Sequence, residues 1–396
     1  MAWDDVVGEL GLTPLINVSG TETVFGASPV SPEVVKAIAG ILPHSVEMAE
    51  LQRAASAEIA AATGAEAGFV TGCSAAAIVI AVASAMTGLD LAAIERLPDT
   101  TGLKDEVVIQ KGHIVNYGSA ISGDIRLTGA KVVEIGAAME SGLYQLRAAL
   151  GPRTAAAVYV ISHHAAPTGM IALPAFVAAC HAAAVPVIVD AAAEYGWREI
   201  LAAGADLVLF SAQKAIGGPT AGIVAGRRDL VRACYAQSRG IGRPMKAGKE
   251  AVVGTIAALR RWHAVDPAAR RRAVEANADA LIAALGELAG ITASRVEDET
   301  GNPFCRVVLT IDPARAGCSA YGLARALQAD RPKVLVRSLQ ADRGILQIDV
   351  RRLDAATLAL VAARIRAAAS AAAALGPIEP PPLADQSAEA VLRWPG

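Results

Sequence analysis

Several things are scarce in this 396-residue chain. Aromatic residues make up 4% of it, histidines number 6 and cysteines number 5. The cysteines (Cys73, Cys180, Cys234, Cys305 and Cys318) are scattered and form no CxxC pair. Such an odd, unpatterned set speaks against a disulfide framework and against a zinc site, so no metal is expected and the thiols are expected to be reduced. A surplus of one charge sign is also missing: 36 basic against 38 acidic residues leave a formal net charge of −2 and a pI near 6.3. A nucleic-acid binder carries a basic excess, so no nucleic-acid partner is expected. The most apolar stretch, Ala75 to Met86, is stopped by Thr87, Gly88 and Asp90 and is too short to span a bilayer. The opening MAWDDVVGELG has no basic stretch ahead of an apolar core, so no export signal is expected. These absences predict a cytoplasmic protein with no membrane partner.

What is present is a globular composition, 54% hydrophobic and 19% charged, in a chain too long for one ordinary core. From Gly68 onward, short apolar runs alternate with Ala/Leu-rich segments long enough for helices. The runs are GFVTG (68–72), EVVIQ (106–110), KVVEIG (131–136), AAVYVIS (156–162), VPVIVDAA (185–192), DLVLFSA (206–212) and AGIVAG (221–226). Continuous apolar strands separated by helices predict an α/β fold, a mostly parallel sheet sandwiched by helices. Residues 1–45 read as an N-terminal arm and a first helix that starts at Pro32 behind Ser31. Residues 46–258 read as the large domain and 259–377 as a small α+β C-terminal domain with strands at 333–339 and 345–350. Residues 378–396 read as a surface tail after PIEPPPL.

In a parallel sheet the ligand lies beyond the carboxyl ends of the strands. Four segments at such ends carry polar residues. FSAQKAIGG places Lys214 directly after a strand and before a glycine pair; a partly buried lysine has a lowered pKa and condenses with aldehydes. VPVIVDAAAEYGW ends an apolar strand in Asp190, a carboxylate that needs a cationic or N–H partner once buried. TGCSAAAIVI turns through Gly72, Cys73 and Ser74 into a helix whose first N–H groups suit a phosphate. QKGHIVNYG follows a strand with His113, able to lie on a ring or to move a proton. Singly, each has an ordinary reading: a surface lysine, a capping carboxylate, an N-capping serine and a hydrogen-bonded structural histidine.

Their order resembles that of the fold-type I pyridoxal-phosphate (PLP) enzymes, the aspartate-aminotransferase superfamily. Phosphate turn, ring-stacking histidine and carboxylate come in sequence, with a lysine 24 residues after the carboxylate. Within that superfamily LINVSGTETVFGASPVS, ELQRAASAEIAAATGAEAGFVTGCSAAA and above all GADLVLFSAQKAIGGPTAGIVAGRRDLV resemble the selenocysteine synthase (seryl-tRNA selenium transferase) family. That family has catabolic relatives, D-glucosaminate-6-phosphate ammonia-lyase among them. The resemblance implies PLP as cofactor, with Lys214 as its Schiff-base lysine, Asp190 on the ring nitrogen and His113 on the ring face. It also implies Gly72, Cys73, Ser74 and Ser211 at the phosphate, and Ser162 or His163 near the phenolic oxygen. It further implies a homodimer or higher even oligomer, in which Arg243 or Lys246 of GRPMKAGKE reaches a neighbour's phosphate; a plain basic helix start reads as well. By type or by family position, Thr21, Glu22, Arg337 and Arg351 are expected to border the substrate. Selenocysteine synthases carry an extra N-terminal tRNA domain that has no counterpart here, so a small-molecule amino-acid substrate is expected.

The cofactor makes a Cα–H acidic, and Asp190 would strengthen that effect. The expected reaction is a lyase reaction: Cα deprotonation, then β-elimination, releasing ammonia and a keto acid. A racemase or epimerase needs only a second acid on the opposite face, from His113, His163 or Tyr117, and transamination stands third. A non-catalytic protein on the same fold is the alternative of a different class.

Overall fold

The computed structural model describes residues 6–394 apart from Leu375 and Pro377. It forms two compact units, one from Ser28 to Ala264 and one from the chain up to Ala27 together with the chain from Val265 onward. The division thus falls at 27/28 and 264/265, whereas the sequence reading placed it at 45/46 and 258/259. Two local causes account for the shift. The helix Pro32–Ile41 packs on the helix Lys249–Ala264, where Gly254 leaves room for Ile38. The helix Lys249–Ala264 also ends before a second one, Pro267–Leu285, whose N-cap Asp266 accepts the Ala268 and Ala269 N–H groups.

The arm contributes β1 (Leu15–Val18). The larger unit carries β2 (Ala67–Thr71), β3 (Glu106–Gln110), β4 (Lys131–Ile135), β5 (Thr154–Val160), β6 (Val187–Asp190), β7 (Leu207–Ser211) and β8 (Gly222–Gly226). They make one seven-stranded sheet in the order β2-β8-β7-β6-β5-β3-β4. The four pairings from β4 through β7 are parallel, and β8 is antiparallel to both β2 and β7. This is the mostly parallel sheet expected from the apolar runs. All strands except β8 end on the same edge of the sheet, and β8 begins there.

Apart from the edge strand β4, the strands are largely buried on both faces, so their side chains alternate between two cores. Val107, Ile109, Leu207 and Leu209 face one core; Val108, Val208 and Phe210 face the other. The first core is filled by the helix Ser74–Thr87. It is apolar all round and 11 of its 14 residues are buried, as a helix inside a domain should be. The outer edge of β2 is closed by a side chain: the Gln52 carboxamide accepts the Val70 N–H (2.9 Å) and donates to the Val70 carbonyl (2.7 Å).

In the smaller unit β9 (Ile291–Glu297), β10 (Cys305–Ile311) and β12 (Ile345–Ile348) form an antiparallel sheet with β10 in the middle. β11 (Lys333–Val336) pairs in parallel with β1, which fastens the arm to this unit. The anticipated tail contains a helix, Leu383–Leu392; residues 395 and 396 lie outside the described residues. The helix Ala355–Ala373 is long and apolar enough to cross a membrane by length and composition. It carries Arg364 and Arg366, however, and buries Leu358, Val361 and Ile365 in its unit.

The same unit buries an ion pair. Arg351 Nε lies 2.9 Å from Asp349 Oδ1, and its guanidinium lies over the Phe304 ring at 4.0 Å. Burial raises the Asp349 pKa, but the charge and hydrogen bonds of Arg351 outweigh it and hold the carboxyl at about 2. A depressed carboxylate pKa contributes stability that is present above the unfolded value near 3.9 and lost as pH falls toward about 2. Asp349→Ala leaves Arg351 buried without this carboxylate. It is expected to cost roughly 3 kcal/mol in urea unfolding at pH 7, and its deficit against wild type is expected to shrink as pH falls from 4 toward 2.

Candidate active site

The site-bearing residues of the larger unit gather where β2, β6 and β7 end. Gly222, the first residue of β8, pairs with Thr71 on one side and Ser211 on the other, so these two strand ends lie at one level. A Cβ at position 222 would stand 2.1 Å from the Cys73 carbonyl oxygen, and only glycine admits the turn so close to the strand. The turn is held from its other side by Met245, whose carbonyl accepts the Thr71 hydroxyl (2.6 Å) and the Gly72 N–H (2.8 Å).

Beyond the turn, Cys73 is the N-cap of the helix Ser74–Thr87, its Sγ accepting the Ala76 N–H at 3.4 Å. The ordinary reading of Ser74 as the capping residue therefore does not hold. Relieved of that task, the Ser74 hydroxyl accepts a hydrogen bond from Ser211 Oγ at 2.9 Å. A hydroxyl pair beside a helix N-terminus suits a phosphate group. Lys246 bridges to Thr71 in the same chain. With Arg243, Arg239, Gln52 and Tyr235 it lines a cavity of about 400 Å³ beside the turn.

Asp190 closes β6. It is 4% exposed, and its Oδ1 has no hydrogen-bond partner among the described residues. Burial raises its pKa to about 6, against the pull of Lys214 and the Ala192 N–H. A buried carboxylate oxygen with no partner is costly unless a group outside the chain supplies one, and a protonated ring nitrogen is such a group. Lys214 follows β7 in a loop held by Gly218 N–H to the Ala212 carbonyl (2.8 Å) and Ala221 N–H to Gln213 Oε1 (3.1 Å). Burial lowers the Lys214 pKa, and the negative charges of Asp190 and Glu194 oppose it. A lysine with a lowered pKa is a better nucleophile and proton acceptor near neutral pH.

His113 is 3% exposed, and burial lowers its pKa to about 4, so the ring is neutral. Its Nδ1 accepts the Val160 N–H at 3.2 Å, which assigns the proton to Nε2. The Tyr159 ring meets it edge-on at 4.4 Å. Tyr117 donates its hydroxyl to Asp124, which with burial keeps its pKa far above the phenol range; Asp190 and Cys73 act on it from nearby. In the loop after β5 the Ser162 hydroxyl accepts the His164 N–H at 3.2 Å, and His163 is exposed with its ring 3.9 Å from that of His164. The Ile161 N–H bonds the Asp190 carbonyl (2.9 Å), which ties this loop's first residue to the end of β6.

The remaining candidates lie in the smaller unit. Thr21 is half-buried, and Glu22 precedes the short turn Thr23–Phe25. Glu22 acts electrostatically on Arg337, which is buried, has a lowered pKa from burial and lies 3.6 Å from Glu299. Arg351 has its fork on Asp349. Two residues the sequence reading passed over belong to the clustered groups: Asp124, buried and facing Asp190, and Glu194, 4% exposed and facing Lys214. Glu194 stands four residues after Asp190 in the loop leaving an apolar strand, the same signal that marked Asp190.

Residues 15–304 match the family described as SelA, L-seryl-tRNA selenium transferase. The chain is 39% identical over 327 residues to a 5'-C-glycyluridine monooxygenase-decarboxylase of a Streptomyces species, covering 82% of each chain. It is 36% identical over 324 residues to the D-glucosaminate-6-phosphate ammonia lyase of Salmonella typhimurium, covering 82% of this chain and 87% of the relative. A solved D-glucosaminate-6-phosphate ammonia-lyase structure aligns over 94% of this chain and 100% of its own with a TM-score of 0.83 and 35% identity. A serine palmitoyltransferase from Sphingomonas wittichii shares the fold, at TM-score 0.56 and 14% identity over 90% of this chain and 88% of its own.

The glycine at 222 gives a direct test of the turn. Gly222→Ala forces backbone against backbone at Cys73, and is expected to cost roughly 1–3 kcal/mol in urea unfolding. It is also expected to weaken PLP binding at least tenfold, read as the concentration needed to develop the visible absorbance.

Proposed function

This chain belongs to the L-seryl-tRNA selenium transferase family, a family of PLP-dependent enzymes, and from that membership we propose that it is a lyase acting on a small α-amino acid with a hydroxyl on Cβ. The observation that carries the reading is the buried, partnerless Oδ1 of Asp190 on the sheet edge that also presents Lys214. The groups named for the relatives support the substrate class: seryl, glucosaminate and 5'-C-glycyluridine are each an α-amino acid unit with an oxygen on the adjacent carbon.

When bound, PLP withdraws electrons from Cα and makes its hydrogen acidic. The chain's own residues would then divide the work. Asp190 would keep the ring nitrogen protonated; Ser74, Ser211 and the helix N-terminus would hold the phosphate; His113, neutral and fixed through Nδ1, would serve the ring face. Ser162 or His163 serves the phenolic oxygen, and Arg243 and Lys246 are the cations proposed for a neighbour's phosphate in a homodimer. By type, Arg337 and Arg351 are the candidates for a substrate carboxylate, Arg351 being bonded to Asp349 and Arg337 lying 3.6 Å from Glu299.

Lys214 Nζ takes the Cα proton. The Cα electron pair forms the double bond to Cβ, the Cβ–O bond breaks with its pair going to oxygen, and that oxygen takes a proton and leaves as water. Hydrolysis of the resulting enamine gives ammonia and a keto acid. Racemisation would need an acid on the opposite face, and two of its candidates are engaged: the Tyr117 hydroxyl donates a hydrogen bond to Asp124, and His113 is held neutral. A second reading is favoured by the similarity to the monooxygenase-decarboxylase: dioxygen is the oxidant, one of its atoms goes to Cα and the other to water, the carboxyl carbon leaves as carbon dioxide, and the amino acid becomes an amide.

Holoenzyme incubated with a panel of D- and L-β-hydroxy-α-amino acids is expected to release ammonia and keto acid in equal amounts. Dioxygen consumption with carbon dioxide release would establish the second reading, and loss of optical rotation without ammonia would overturn both. Lys214→Ala is expected to remove the visible absorbance of the bound cofactor and to lower turnover by about a thousandfold or more.

A further inference from the structure

Two buried carboxylates stand on one short turn, and both act electrostatically on one lysine. Asp190 and Glu194 are each 4% exposed. The turn that carries them is clipped to β7 by two hydrogen bonds, Ala191 N–H to the Leu209 carbonyl (2.9 Å) and Ser211 N–H to the Ala192 carbonyl (3.0 Å). It is closed on itself by Glu194 N–H to the Ala191 carbonyl (3.1 Å). Ser211 is three residues before Lys214, and its carbonyl accepts the Lys214 N–H at 3.5 Å. The carboxylate turn and the lysine loop are therefore parts of one hydrogen-bonded assembly, and a buried carboxylate in it is retained only with a cation or donors around it.

The roles of the two acids separate once the cofactor is considered. The open Oδ1 of Asp190 is the acceptor available to the ring nitrogen. With Asp190 turned to that nitrogen, Glu194 is the second anion acting on Lys214. We propose that Glu194 is a positioning residue for the reaction, the counter-ion that keeps a proton on Lys214 Nζ after it has left Cα and lets the lysine pass it to the departing β-oxygen. This rests on the elimination reading above. The transfer balances: Nζ gains the Cα proton and returns one to the oxygen, which already holds the electron pair of the broken Cβ–O bond. Glu194 itself gains and loses nothing. A lone lysine amine in a desolvated pocket would hold the proton poorly, and an adjacent anion corrects that.

The other titratable groups around Lys214 do not duplicate this function. Asp124 and Tyr117, from the segment after His113, are bonded to each other and act on Asp190; His113 is neutral; Cys73 acts on Tyr117.

The test uses holoenzyme, in which the visible absorbance reports protonation of the Lys214 nitrogen on the cofactor. Removing a nearby anion lowers the proton affinity of that nitrogen. Glu194→Gln is therefore expected to move the absorbance titration midpoint to lower pH by roughly one unit, with Glu194→Asp restoring part of the shift. On a β-hydroxy-α-amino acid, kcat is expected to fall by about a hundredfold in Glu194→Gln while KM changes by less than about threefold. An unchanged midpoint in Glu194→Gln that binds PLP as wild type does overturns the proposal. Should Glu194→Gln fail to fold, Glu194→Asp decides alone: a midpoint identical to wild type, with unchanged kcat, overturns it. If wild type releases no ammonia yet the midpoint still shifts, the elimination reading falls, and with it the transfer to oxygen, while Glu194 stands as counter-ion of Lys214.

Discussion

A single close approach sets the geometry of the larger unit's site. β8 runs antiparallel between β2 and β7, and its first residue, Gly222, touches the carbonyl of Cys73 on the turn above it. Because position 222 has no side chain, the turn after β2 sits directly over the sheet edge, level with Ser211 at the end of β7. The Ser74–Ser211 hydroxyl pair follows from that alignment, and so does the placing of Lys214, three residues beyond Ser211. Met245 fastens the turn from the other side with two hydrogen bonds to one carbonyl, which brings the basic segment around Arg243 and Lys246 to the same place.

Burial supplies the rest of the chemistry. Desolvation alone pushes Asp190 toward protonation and Lys214 toward neutrality. Each partly offsets the other's shift, and that balance is a form of poise. Such poise is costly for stability and useful for proton transfer, and perturbed groups gather at functional sites for this reason. By contrast Asp349 and Arg351, with side chains 10% and 12% exposed, saturate one another. Their geometry is that of a structural pair, with the carboxyl driven to about 2 instead of held near neutrality.

Most strands of the larger sheet were legible because they are continuous apolar runs bounded by polar residues or glycine, a pattern that burial on both faces demands; the edge strand β4, KVVEI, shows it least. β1, β9 and β10 were not legible. β1 has four residues, too few to display a period. β9, ITASRVE, is exposed over most of its length and carries little apolar signal of its own. The site residues that could be read were polar residues at the ends of apolar strands: Asp190, Lys214 and Ser211. Glu194 carried the same mark but lies in a loop, where a glutamate is ordinary until its burial is known. Cys73 as the helix cap, in place of Ser74, was equally invisible, since serine is by far the commoner capping residue.

The sequence by itself determined the alternation of buried strands and helices, the glycine at 222 and the order of phosphate turn, histidine, carboxylate and lysine, because these depend on local composition and chain order. The tertiary structure alone decided which of these groups feel one another. That Asp190 keeps an open oxygen, that Arg351 is bonded to Asp349, that the Tyr117 hydroxyl donates a hydrogen bond to Asp124 and that Glu194 acts on Lys214 all depend on burial and on distances that chain order does not give. Electrostatic strength inside a protein is set by exactly those two quantities, and neither is written in any one stretch of sequence.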